Sequence, residues 1–276
     1  ILGGPGCNKT GLLTELYAKC VNQYGLDKVA FISYTVAQVR RDKSKVKSIT
    51  KLSADKLDAF RTIHSAARQH YTEETVVIPE REFEGMSVFM DIDMTNIYKG
   101  IDYMRQLETK NMAVGANKAG IDTDNFKKCV YFYNKVKEKK SLSGIKVIDF
   151  SDMLKDAVDA HYKIDVDCAF IDEAQDLTPL QWRAIYTFFR DVKHLYVAGD
   201  PNQSLYRFNG SRPNYMLEMR YDDIKILNHS SRCSSNVMEM AFLVWKKMTN
   251  SAEMPISNGD TSGFGVFYPE KKLRNN

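Results

Sequence analysis

The chain of 276 residues is 43% hydrophobic, 27% charged and 11% aromatic, the composition of a globular protein with one large or two ordinary domains and ample core. No apolar run approaches the ~18 residues of a membrane helix and no signal peptide opens the chain, so the expectation is a cytoplasmic protein with no membrane partner. Five scattered cysteines, Cys7, Cys20, Cys129, Cys168 and Cys233, suggest neither a disulfide framework nor a zinc site, while a net charge of +4 permits a nucleic-acid partner without requiring one.

The first ten residues, Ile1-Leu2-Gly3-Gly4-Pro5-Gly6-Cys7-Asn8-Lys9-Thr10, run from an apolar strand end through a glycine-rich turn to a lysine and a hydroxyl. This is the phosphate-loop pattern G-x-x-x-x-G-K-[ST] with Asn8 where the last glycine belongs. Gly3, Gly4, Pro5, Gly6, Cys7 and Asn8 would turn backbone N–H groups onto nucleotide phosphates. Lys9 would reach the β- and γ-phosphates, and Thr10 would meet Mg²⁺. Asparagine tolerates a left-handed backbone well, so the loop can form at a cost of about 1 kcal/mol.

Leu12, Leu13, Leu16, Tyr17, Cys20 and Val21 recur at helical spacing up to Gly25. Residues 29–34 make a second buried strand, closed by Ser33-Tyr34-Thr35. The basic run Arg40, Arg41, Lys43, Lys45 and Lys47 reads as a solvated helix face. Thr62-Ile63-His64-Ser65 is a polar cluster in which the histidine is structural or, with its hydroxyl neighbours, faces phosphate oxygens. From residue 79 to residue 146 the strand–helix alternation fades into a helical insertion. There, residues 97–107 and 126–136 read as amphipathic helices around a loop-rich stretch at 111–124. Tyr131, Phe132 and Tyr133 among several lysines read either as a surface for single strands or as rings partly facing the core.

Residues 145–149 return to strand character, and Ser151-Asp152-Met153-Leu154 starts a helix. The chain then reaches its most specific stretch, Cys168-Ala169-Phe170-Ile171-Asp172-Glu173-Ala174-Gln175-Asp176. An apolar run fit for a strand buried on both faces stops at two adjacent carboxylates, the place where a doubly wound sheet puts its chemistry. Asp172 can hold Mg²⁺, and Glu173 can orient or deprotonate an attacking water. Thr178-Pro179-Leu180-Gln181 then opens a helix with a cap, a proline at the first position and a reciprocal glutamine. Residues 195–198 make another buried strand, ending in Gly199-Asp200-Pro201-Asn202-Gln203-Ser204-Leu205-Tyr206-Arg207-Phe208-Asn209-Gly210. An amide at such a tip can touch a γ-phosphate, and the aromatics beyond it can touch bases. Ser230-Ser231-Arg232-Cys233-Ser234-Ser235-Asn236 reads as a hydroxyl-rich turn before a helix, or as an ordinary capping loop.

In content and order these pieces resemble superfamily 1 DNA helicases of the UvrD/Rep type, phage- or bacterial-like. Gly3 to Thr10 is similar to their first motif, Ser33-Tyr34-Thr35 to T-F-T, and Thr62 to Ser65 to T-F-H-S. Asp149 to Leu154 is similar to D-F-D-D-L-L, Asp172 to Asp176 matches D-E-A-Q-D, Gly199 to Gly210 resembles G-D-x-x-Q-S-I-Y-x-F-R-G, and Ser230 to Cys233 resembles N-Y-R-S. The resemblance implies an α/β P-loop NTPase fold: a RecA-like parallel sheet (residues 1–78 and 147–224) with a helical insertion (79–146) and the start of a second RecA-like domain (225–276).

It also implies ATP and Mg²⁺ as cofactors, single-stranded DNA or DNA junctions as partners alongside replication or repair proteins, and 3′ to 5′ movement. The setting would be the nucleoid, or the host cytoplasm for a viral protein. By position, Glu173, Gln203 and Arg232 would be catalytic, Thr10 and Asp172 would hold the metal, and Tyr34, Thr35, Thr62, His64, Tyr206 and Phe208 would line the DNA track. Ser231 departs from the family's adenine-stacking tyrosine, Asn209 from its F-R-G arginine and Asn8 from its glycine. These departures and the missing later motifs lead us to expect a partial chain. The alternatives are a nucleotide-binding module, or a motor subunit of a nuclease or repair complex, without its own unwinding.

Overall fold

β1 (Leu2–Gly3) runs into the glycine-rich loop, α1 (Lys9–Tyr24) follows it, and β2 (Val29–Ile32) is buried along its whole length. α2 (Val36–Thr50), β3 (Phe60–Arg61), α3 (Ile63–Arg68) and β4 (Thr75–Val77) come next. Three helices follow in succession, α4 (Met94–Gln106), α5 (Met112–Ala119) and α6 (Thr123–Ser141). Alternation resumes with β5 (Lys146–Ile148), α7 (Phe150–Asp159), β6 (Cys168–Ile171), α8 (Pro179–Phe188) and β7 (His194–Val197). α9 (Asn214–Glu218), β8 (Ile226–Leu227), β9 (His229–Ser234), α10 (Ser235–Thr249) and β10 (Asn258–Thr261) complete the series. The computed structural model describes residues 1–50, 60–71, 75–77, 94–141, 146–204, 206–227, 229–249 and 258–261. The start of the insertion expected at residue 79, Leu205 of the strand-tip motif and most of residues 250–276 lie outside the described residues. Among the described residues, no helix is long and apolar enough to cross a membrane.

β3, β2, β6 and β7 pair in that order, all parallel. Leu2 bridges Gly199 just past β7, and β1 pairs onward with β8, also in parallel. β7 therefore lies between the loop strand β1 and the acidic strand β6. In a parallel sheet all carboxyl ends point one way, so the loop, the two carboxylates and the tip after β7 emerge side by side.

Side chains alternate across β2 and β6 in matched register, with Ala30 opposite Ala169, Phe31 opposite Phe170 and Ile32 opposite Ile171. Phe31 and Phe170 face α1, where Tyr17 meets Phe60 edge-on at 4.8 Å. Ile32 and Ile171 face the other way, toward Leu154 of α7 and Trp182, Ile185 and Phe188 of α8. Burying each of these side chains contributes roughly 1.5–3 kcal/mol, which is what holds both helix layers on the sheet. α8 starts as expected, with Thr178 and Gln181 capping each other and Pro179 at the first turn. α7 starts one residue earlier than expected, because Asp149 and Asp152 form a second reciprocal cap around Phe150.

α4, α5 and α6 enclose a core of their own, built on Met94, Ile97, Ile101, Phe126, Cys129 and Tyr133. The chain leaves for it after β4 and returns through β5, and those two strands pair in parallel. The expected loop at 111–124 is instead occupied by α5. Asn111 caps that helix by accepting from the Ala113 N–H at 3.1 Å, and Gly120 ends it at φ 74°. Gly115 is there for close packing, since a Cβ on it would lie 2.5 Å from Met104 Sδ and from Phe126. Of the three aromatics on α6, Tyr133 is buried while Tyr131 and Phe132 are exposed. Tyr133 and Arg105 both bond Asp149, and Thr178 Oγ1 donates to Gln106 Oε1 at 2.6 Å. These contacts tie the three-helix unit to the N-termini of α7 and α8.

Residues 229–234 form a strand paired with β10, where a turn was expected. Ser230 and Ser234 are buried, Ser231 and Arg232 are both exposed and Cys233 is half-buried, so no two-residue alternation marks the strand, and its residues are mostly small and polar.

Candidate functional site

Asn8 adopts the left-handed backbone that the loop pattern requires, at φ 60° and ψ 33°. A Cβ on Gly11 would overlap the Asn8 side chain, so the asparagine needs a glycine one turn on. α1 begins at Lys9, which leaves its first unpaired N–H groups at the loop. Lys9 Nζ donates to the carbonyls of Gly3 at 2.7 Å and Gly4 at 3.1 Å, and Thr10 Oγ1 donates to Asp172 Oδ2 at 2.7 Å.

Asp172 is 3% exposed at the end of β6. Burial, and next the charge of Glu173, push its carboxyl up to about 7. Glu173 is one of four non-glycine residues with positive φ among the described residues, at 55°. That conformation costs on the order of 1–3 kcal/mol, and it turns the chain sharply out of the sheet. Gln175 Nε2 donates to Glu173 Oε2 at 2.9 Å, while Gln175 Oε1 accepts from the Asp200 N–H at 2.9 Å. Gln203 donates through Nε2 to the Asp200 carboxylate. The three strand ends thus place Lys9, Thr10, Asp172, Glu173 and Gln203 around one region.

β9 lies against the loop from the other side. Ser230 Oγ donates to the Pro5 carbonyl at 2.7 Å, and the Ser231 N–H donates to the Gly6 carbonyl at 3.2 Å. Gly6 sits at φ 76°, and a Cβ on it would be 2.5 Å from Arg232 Cβ. Arg232 is therefore brought up to the loop. Ser231 bonds the loop itself.

The residues expected on a DNA track divide into two groups. Tyr34 and Tyr206 have ring centroids 5.1 Å apart, Tyr206 and Phe208 are 6.1 Å apart, and Phe208 is 62% exposed. This aromatic row is joined by Lys118 of α5, which donates to the Phe208 carbonyl at 2.7 Å and lies over the rings of Tyr103 and Phe208. Thr35 and Thr62 instead serve as helix caps, for α2 through Gln38 and for α3 through the Ser65 N–H. His64 turns its Nε2 inward, where it has no hydrogen-bond partner among the described residues, and its ring meets Phe150 edge-on. Burial pushes its imidazole down to about 4, so at neutral pH it carries no charge to offer a phosphate.

Gln175, Asp200, Ser230 and Lys118 are site residues that the sequence pattern does not single out. Gln175 and Asp200 lie inside quoted motifs, yet their partnership exists only once β6 and β7 pair. A buried pair at the end of β2, Ser33 Oγ donating to Asp42 Oδ2 at 2.6 Å, completes the floor of the region.

Residues 1–223 match the UvrD/REP helicase N-terminal domain family. The chain is similar to ATP-dependent DNA helicase UvrD2 of Mycobacterium tuberculosis, 32% identical over 111 residues that cover 36% of this chain and 16% of that protein. It is similar to the putative ATP-dependent DNA helicase YjcD of Bacillus subtilis, 29% identical over 105 residues, 36% of this chain and 14% of that protein. A third likeness is to a Carboxydothermus hydrogenoformans protein named as an ATP-dependent helicase/nuclease subunit, 33% identical over 99 residues, 33% of this chain and 8% of that protein. The matched stretches thus span 8–16% of these relatives' own lengths.

Proposed function

The chain belongs to the UvrD/REP helicase family, and on that premise we propose that it couples ATP hydrolysis to 3′ to 5′ movement on single-stranded DNA and unwinds duplexes. The observation that carries this reading is the contact of Thr10 with Asp172, which joins a phosphate loop to a buried carboxylate from a strand 162 positions away. Lys9 exchanges its two loop carbonyls for the β- and γ-phosphates when ATP enters. Glu173 accepts the proton of the attacking water. Gln203 reads the γ-phosphate from the tip of β7, and Arg232 meets the charge that develops there.

Among the described residues, no cluster of three metal-ligating side chains is present. One hydroxyl and one carboxylate in contact suit Mg²⁺, which keeps several waters and takes further oxygens from phosphates. Bound there, Mg²⁺ would neutralise phosphate charge. We assign residues 1–78 and 147–224 to a first RecA-like unit, residues 79–146 to an insertion and residues 225–276 to the start of a second unit. Tyr34, Tyr206 and Phe208 offer π-faces to bases without regard to sequence. Replication or repair proteins are the expected partners. A motor subunit of a nuclease complex is the second reading, favoured by the likeness to a protein whose name joins helicase and nuclease.

ATP turnover with and without single-stranded DNA, followed by strand displacement from 3′-tailed and 5′-tailed duplexes, tests the proposal. DNA-stimulated turnover with displacement of the 3′-tailed substrate is expected. Turnover indifferent to DNA would overturn it.

A further inference from the structure

Gln175 sits two residues beyond Glu173 in the single turn Ala174–Asp176, and it is 2% exposed. A buried primary amide must use both its donor and its acceptor end. Here the two ends go to different strands. The Nε2 donates to Glu173 Oε2 and the Oε1 accepts from the Asp200 N–H, each at 2.9 Å. The amide's orientation is fixed by the Asp200 N–H, which can only donate and so requires the oxygen end of Gln175 to face it.

The neighbouring strand makes room for this amide. Gly199 passes so close that a Cβ on it would lie 2.5 Å from Gln175 Oε1. Asp200 then takes Gln203 Nε2 with its carboxylate and the Asn202 N–H at 3.0 Å. A relay therefore runs from Glu173 through Gln175 and Asp200 to Gln203. One oxygen of Glu173 is held by the amide, which leaves the other for a water molecule. An amide suits that task because it orients a carboxylate without competing for the proton.

We propose that Gln175 is a positioning residue that fixes the Glu173 carboxylate relative to the tip of β7, so that contact of Gln203 with the γ-phosphate sets the aim of the group that deprotonates water. The inference rests on the hydrolysis reading above. A lysine in place of Gln175 would pair with Glu173 and suppress its basicity. An aliphatic side chain would free it to rotate.

The test compares wild type with Gln175→Met, of similar length without the amide, and Gly199→Ala, which displaces the amide without changing it. Both are expected to lower kcat by about 10- to 100-fold at saturating ATP and single-stranded DNA, a penalty typical of misplacement by about 1 Å. ADP affinity should stay within about threefold of wild type. In single-turnover hydrolysis of radiolabelled ATP, Gln175→Met added to Glu173→Gln should cause no further loss, because the amide acts through that carboxylate. Wild-type kcat in Gln175→Met, or a further loss of the same size on top of Glu173→Gln, would overturn the inference and leave the hydrolysis reading standing. Absence of hydrolysis by the wild type would overturn both.

Discussion

Thr10 Oγ1 donates to Asp172 Oδ2 at 2.7 Å, and that hydroxyl is the only side chain among the described residues to bond the carboxylate. Two neutral donors, that hydroxyl and the Glu173 N–H at 3.0 Å, do not offset burial beside the Glu173 charge, which is why the Asp172 carboxyl is pushed up to about 7 from 3.8. With the folded value above the unfolded one, the folded state holds the extra proton between those two values. The group's contribution to stability is whole below pH 4 and is lost as pH rises to about 7. Asp172→Asn should therefore be more stable than wild type at pH 8, by an amount on the order of 4 kcal/mol, and match it near pH 4. Turnover should be abolished. Thermal melts across that range in metal-free buffer check the first part, and equal melting at pH 8 would contradict it.

Glu173→Gln and Lys9→Ala separate chemistry from binding. An amide at position 173 can still bond water but cannot take its proton, so nucleotide affinity should persist while hydrolysis falls to a residual rate that only single-turnover measurement reads. Lys9 holds two loop carbonyls at present and is the cation placed to reach the β- and γ-phosphates, so Lys9→Ala should weaken ATP binding itself. Equal ATP affinity for Lys9→Ala and wild type in a titration would remove the phosphate-loop assignment.

The loop at residues 3–10 and the acidic end of β6 are legible in the sequence because each demands particular residue types at fixed spacing. The cap at Thr178 and the left-handed Asn8 are legible for the same local reason. α5 is not, because Gly115 and Gly120 within a few residues carry the signature of a loop. Gly115 is in fact dictated by Met104 and Phe126, which reach it only after α4 and α6 have packed. β9 is hidden because its residues are mostly small and polar and their burial does not alternate. Lys118 and Phe208 are 90 positions apart, and nothing local to either predicts their meeting.

His64 gives the opposite pH signature to Asp172. Its imidazole is neutral when folded, with burial holding it near 4 rather than 6.5. Stability from this group is whole above pH 6.5 and drains as pH falls toward 4, because the unfolded chain takes up the proton first. His64→Phe, which keeps a ring against Phe150, should flatten the stability profile between those values by about 3 kcal/mol in urea titrations. Affinity for single-stranded DNA should be flat from pH 8 down to pH 6. A rise in affinity over that interval that disappears in His64→Phe would make it a phosphate contact after all.

The aromatic row and Lys118 make a prediction that salt can resolve. Phe208 is 62% exposed, so truncating it removes little packing, and Phe208→Ala should leave the melting temperature nearly unchanged. If a base stacks on that ring, affinity for single-stranded DNA should fall by about 1–3 kcal/mol at every salt concentration. Lys118 differs because its contribution is a charge. Each phosphate neutralised by a lysine on a single strand adds about 0.7 to the slope of log affinity against log salt. Lys118→Met should therefore weaken binding at low salt and reduce that slope by about 0.7, while Phe208→Ala leaves the slope alone. If Lys118 is only a strut for the loop at residues 206–210, Lys118→Met will lower affinity without altering the slope. If both substitutions leave affinity unchanged, the row from Tyr34 to Phe208 does not carry DNA.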